Sequence, residues 1–162
     1  MDNYIPTDYQ GFIHKSRYAR WLDDEKRRES WSETVTRYVN NVVAHHVDAA
    51  TASEIEEAIL TLEVMPSMRS LMTAGPALER DNTAGYNCSY LAVDDPKAFD
   101  EAMFILLCGT GVGFSVERQF ISKLPEVPDL FNSETTVVVK DSKEGWAKAF
   151  RQVLALLWAG EI

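Results

Sequence analysis

Cysteine is scarce in this chain: Cys88 and Cys108 are the two in 162 residues, with no CxxC pair and no His-rich run beside them. That excludes a disulfide scaffold and gives no metal-ligand spacing. Basic charge is also short, with 16 Lys and Arg against 25 Asp and Glu and a net charge of -9. Such a balance argues against holding nucleic acid by phosphate neutralisation, but it leaves room for a small nucleotide bound through backbone amides. No apolar run approaches the roughly 20 residues that cross a bilayer, and Met1-Asp2-Asn3-Tyr4 has no basic-then-apolar signal pattern. The expectation is a cytoplasmic protein in a reducing compartment, with no nucleic acid and no membrane as partners. Internal repeats and low-complexity tracts are absent as well.

What is present is ordinary globular composition, 46% apolar and 25% charged, in a length that suits one domain with a real core. Phe12, Ile13, Tyr18, Trp21 and Leu22 recur at helical spacing through 9–22. After the charged run 23–29, Ser30 or Ser32 caps a helix with Val35, Tyr38, Val39, Val42 and Val43 on one side. Residues 48–51 read as a connection. Ser53 with Glu56 reads as a capping box for a third helix carrying Ile55, Ala58, Ile59 and Leu62. Residues 1–65 are therefore expected to be helical.

The pattern changes in 66–162. A short helical turn lies between Pro66 and Gly75-Pro76, and 79–83 reads as a loop. A strand is expected over 86–93, a helix over 96–108 started by Pro96, and a strand over 112–117. An irregular excursion over 124–134 precedes a β-branched strand at 135–140. Asp141 or Ser142 then caps a final helix through Trp146, Phe150, Leu154 and Trp158. The order β-α-β indicates an α/β fold behind a helical region. Three short strands make a poor sheet, so the chain is expected to be the front part of a larger enzyme or one piece of a split one.

Read residue by residue, the motifs stay ambiguous. Cys88 in Tyr86-Asn87-Cys88-Ser89-Tyr90 is either a small buried hydrophobe or a thiol projected from a rigid strand. Cys108 ends an apolar helix and is read as packing. Gly109-Thr110-Gly111-Val112-Gly113 runs from helix to strand, the reverse of a dinucleotide fingerprint or P-loop, so it is either a helix C-cap or a turn that lets a flat ligand approach the backbone. Ser67, Arg69, Ser70 and Thr73 beside Gly75 form either a capped turn or a phosphate contact. Asp94 and Asp95 are caps or acceptors for a ribose hydroxyl. His14, His45 and His46 read as surface residues.

Together, MPSMRSLMTAGPALERDNTAGYNCSYLAVDD, FILLCGTGVGFSVERQ and VVVKDSKEGWAKA, with YQGFIHKSRYARWL near the N-terminus, closely resemble the opening of the ribonucleotide reductase catalytic subunit, nearest to its adenosylcobalamin-dependent class. The resemblance implies a ten-stranded α/β barrel, here incomplete, over 66–162 behind a helical region at 1–65. It implies that Cys88 is one of two thiols that reduce the ribose and close to a disulfide. Ser67, Arg69, Ser70, Asn87, Gly109, Thr110 and Gly111 would bind the ribonucleotide, and Asp94 or Asp95 would face a deoxynucleotide or ATP effector. Adenosylcobalamin would be the radical source, without being bound by this segment alone, and a thioredoxin-like protein would be the reductant. The family's radical cysteine, second reducing cysteine, neighbouring glutamate and asparagine and C-terminal thiol pair come after position 162, so the remainder of the catalytic subunit is an implied partner and the segment alone is expected to be inactive. An ATP-cone signature is missing. Two alternatives come from other classes: a non-catalytic nucleotide-binding or assembly module of a split reductase, and a helical interaction domain.

Overall fold

The computed structural model describes residues 4–162, a mixed helix and strand chain in two compact units, the first ending at Tyr86 and the second running from Asn87 to Ile162.

In the first unit, Thr7 caps α1 (Asp8–Ile13), which continues as a wide π-type turn over His14–Tyr18. The helical spacing expected to run to Leu22 stops there. Trp21–Leu22 (β1) instead pairs antiparallel with Arg27–Arg28 (β2), and Lys26 takes the left-handed conformation that closes the hairpin. Ser30 begins α2 (Trp31–Tyr38) through a capping box with Glu33. The Arg27 guanidinium and the Ser30 amide hold the Glu33 carboxyl down at about 2. A second wide turn covers Val39–Val43.

The third helix, α3 (Ala49–Leu60), starts earlier than expected. Asp48 accepts from the amides of Ala50 and Thr51, so the carboxylate wins the cap and Ser53 lies inside the helix. The polar stretch expected as a loop is also helical: α4 (Met68–Thr73) is followed by α5 (Pro76–Arg80), with Pro76 in its first turn, and by a 3-10 turn over Asn82–Gly85.

Trp31, Val35, Val39, Ala52, Ile59 and Leu71 form the core of this unit. The i, i+4 steps from Trp31 to Val39 put one face of α2 against α3 and α4. Beside them lies a buried polar network. Arg37 donates to both oxygens of Glu29, at 2.8 and 2.9 Å, and to the carbonyls of Leu71 and Ala74. Glu29 also accepts from the Arg20 amide and the Thr34 hydroxyl. Burial by itself favours the neutral acid, but these hydrogen bonds and the Arg37 charge outweigh it and hold Glu29 below the ordinary carboxyl range. The same network overturns the surface reading of His14. It is 3% exposed, its Nε2 lies 2.9 Å from Thr34 Oγ1, and its ring meets Trp31 edge-on. His45 and His46 are exposed. Arg37 also explains why residues 66–86 pack with the helices before them: its guanidinium fastens α4 to α2.

In the second unit, β3 (Cys88–Ala92) leads to α6 (Lys97–Leu107) and then to β4 (Gly111–Ser115), which lies parallel to β3. Asp95 Oδ1 accepts from the Lys97 amide and opens α6. At its end the Gly109 amide bonds to Leu106 O and the Thr110 amide to Ile105 O, with Gly109 at φ 84°, a Schellman cap. A short α7 (Arg118–Ile121) follows. The strand expected at 135–140 does not form: those residues have no strand partner and Val138 is 82% exposed. β-branched residues favour a strand only where a neighbour completes the ladder. Ser142 caps α8 (Lys143–Trp158), which packs on α6 through small residues such as Ala98 and Ala147 and through the Arg151–Asp100 ion pair. No helix among the described residues is long and apolar enough to cross a membrane.

Candidate active site

Strand pleat decides what surrounds Cys88. Successive side chains alternate between faces, so Cys88, Tyr90 and Ala92 share one side of β3. The parallel register sets Cys88 beside Gly111, Tyr90 beside Gly113 and Ala92 beside Ser115. On this side Cys88, Tyr90, Gly111 and Gly113 are all exposed. The thiol thus stands at the start of an open sheet face and not in a sealed interior.

The two glycines are not demanded by the backbone. Neither has a positive φ, and an added Cβ would meet Asn87 O at 3.5 Å or Ser89 O at 3.7 Å, which is ordinary contact. What their missing side chains achieve is a flat, unobstructed strip next to the sulfur. Gly109 differs, since its left-handed conformation is the helix cap itself. The helix C-cap reading of the glycine run therefore holds for Gly109.

The remaining residues expected at a site separate by unit. Asn87 is exposed and its carbonyl accepts from the Gly111 amide at 3.0 Å, joining it to the Cys88 strip. Thr110 is 1% exposed, with its side chain turned away from solvent. Asp95 serves as the cap of α6, and Asp94 pairs with Lys123 at 3.1 Å on the surface. Ser67, Arg69 and Ser70 lie in the first unit, on and just before α4, where Arg69 Nε donates to Ala84 O at 3.1 Å. Cys108 is half-buried as expected, and Lys143 Nζ donates to its sulfur at 3.1 Å. Tyr90 is a member of the Cys88 face that motif reading left out, and it stands beside Gly113 of the glycine run. Period-two alternation from Cys88 and from Gly111 was the available signal.

The model of the ribonucleotide reductase alpha domain matches residues 3–76. The adenosylcobalamin-dependent ribonucleoside-triphosphate reductase of Lacticaseibacillus paracasei is 29% identical over 85% of this chain, and that of Lactobacillus delbrueckii subsp. bulgaricus is 28% identical over 82%. By these matches the chain is similar to the ribonucleotide reductase family. It spans 23% and 22% of the lengths of those two curated relatives. A crystal structure of a B12-dependent (class II) ribonucleotide reductase covers 93% of the chain with a TM-score of 0.76 at 22% identity, and 30% of that structure's chain is used. The α/β arrangement of this chain is thus the fold of that structure over most of its length.

Proposed function

We propose that this chain is the N-terminal part of a ribonucleotide reductase that converts ribonucleotides to 2'-deoxyribonucleotides, with Cys88 as one of two reducing thiols. Support comes first from the position of Cys88: an exposed thiol on a rigid strand beside two glycines, with room for a sugar to lie against it. Replacing the 2'-hydroxyl by hydrogen takes two electrons and two protons, and a pair of thiols supplies both as it closes to a disulfide. The carbon–oxygen bond at C2' breaks, the hydroxyl leaves as water, and a C2'–H bond forms. The names of the relatives make the ribonucleoside triphosphate the first substrate to test.

The second unit supports a place within a larger barrel. Tyr90, Leu106, Phe114, Val116 and Val153 are exposed, while its buried apolar side chains are small, Val93 and alanines. A ten-stranded barrel whose other strands come from the remainder of the catalytic subunit would cover such surfaces. In this reading Asn87, Gly109, Thr110 and Gly111 approach the substrate, Thr110 through its backbone, and Ser67, Arg69 and Ser70 approach its phosphates. Asp94 and Asp95 lie toward a deoxynucleotide or ATP effector, a thioredoxin-like protein returns the electrons, and the setting is cytoplasmic.

Adenosylcobalamin, named for the relatives, would supply the radical chemistry when bound. Its holding falls to the remainder of the subunit.

The test is Cys88→Ser in the complete protein, assayed for deoxyribonucleotide over many turnovers with a dithiol reductant. Product formation falling to background supports the assignment. Turnover near the parent rate refutes it.

A further inference from the structure

We propose that Cys108 and Lys143 form an oxidant-driven covalent link, a sulfenamide, in which hydrogen peroxide is the oxidant. The sulfur is half-buried at the C-cap of α6, and Lys143, the first residue of α8, donates to it from Nζ at 3.1 Å. The ammonium is also held in place from a second direction, 4.9 Å from the centre of the Phe104 ring. A thiol and an amine are thus fixed at reacting distance on two different helices. Cys88, by contrast, is exposed on β3, whereas Cys108 has the Lys143 ammonium beside it.

The chemistry uses both groups in turn. The Cys108 sulfur, as thiolate, attacks one peroxide oxygen and the O–O bond breaks. The departing hydroxide takes a proton from the Lys143 ammonium beside it and leaves as water. Sulfur is now a sulfenic acid, oxidised by two electrons, and Lys143 is a neutral amine. The amine nitrogen then attacks sulfur, an S–N bond forms, the S–O bond breaks, and the hydroxyl leaves as water with one amine proton. In total a thiol, an amine and one peroxide give a sulfenamide and two waters. Reduction by an external thiol returns the starting pair.

The link would bind the end of α6 to the beginning of α8, at the residue just before the Gly109 turn that leads into β4 and so to the strip beside Cys88. It makes Cys108 an oxidation site independent of the role proposed for Cys88.

The experiment uses the complete protein in a Cys88→Ser background, so that the exposed thiol does not compete. After hydrogen peroxide treatment and non-reducing digestion, mass spectrometry should find the Cys108 and Lys143 peptides joined, two hydrogens lighter than their sum, and separated again by a thiol reductant. Lys143→Arg and Lys143→Gln should each abolish the joined species and leave Cys108 sulfenic acid to be trapped by dimedone. Two results would overturn the proposal: peroxide-treated protein in which Cys108 is unmodified or over-oxidised without the joined peptides, and a joined species that persists with another lysine in either variant. The readout is covalent mass, so it stands whether or not Cys88 proves catalytic.

Discussion

Replacing Arg37 with methionine should cost the first unit most of its stability. Arg37 and Glu29 side chains are 13% and 6% exposed, and the guanidinium satisfies both carboxylate oxygens together with the carbonyls of Leu71 and Ala74. Methionine fills similar space and removes every one of those donors, which leaves Glu29 with the Arg20 amide and the Thr34 hydroxyl. Removing one partner of a buried ion pair costs about 3–5 kcal/mol, because the other charge stays desolvated. For a unit of this size each kcal/mol lowers the melting temperature by about 4–8 °C, so a fall on the order of 15–30 °C is expected in thermal unfolding followed by circular dichroism. Arg27→Met is the control. Its pairs with Glu25 and Glu33 are exposed, and such pairs contribute roughly 0–1 kcal/mol. Adding Glu29→Gln to Arg37→Met removes the stranded charge and should recover about 1 kcal/mol or more. An Arg37→Met protein no less stable than Arg27→Met, or a double variant no better than the single, would refute the argument.

Four other outcomes follow from the geometry. Gly113→Val in the complete protein should fold, since its Cβ has room, yet lose substrate turnover by obstructing the strip beside Cys88; steady-state kinetics with a melting curve separates the two effects. Ser142→Ala removes the acceptor for the Gly145 amide and should destabilise α8 by about 0.5–2 kcal/mol in denaturant unfolding. Gly160→Ala should be worse tolerated than an ordinary surface change, because φ is 89° and the new Cβ would lie 2.9 Å from Asp129 O; the melting temperature reports it. Glu33 titrates at about 2 when folded against an ordinary 4.5, so its contribution is complete above the ordinary value and is lost as pH falls toward 2; Glu33→Gln should flatten stability against pH in that window.

Local signals were legible where one short stretch carried the whole cause. Ser30, offered with Ser32, announced α2, Pro96 after two aspartates announced α6, and Ser142, offered with Asp141, announced α8. They misled where a competitor lay a few residues away, as with Asp48 taking the cap from Ser53. They failed where the cause was distant: the burial of His14 depends on Thr34, twenty positions later. The run at 135–140 shows the reverse case, strand-forming residues without a ladder to join. At the candidate site, the strand context of Cys88 left a packed and a projecting thiol both open, and the structure shows the thiol exposed. What needed the register between β3 and β4 was the pairing of Cys88 with Gly111 and of Tyr90 with Gly113, which no single stretch of residues contains.

The β3–β4 pair carries a practical consequence. Each strand has one hydrogen-bonded neighbour among the described residues, so the far rims of the ribbon present bare amides and carbonyls. Produced by itself, this polypeptide should stick to copies of itself along those rims.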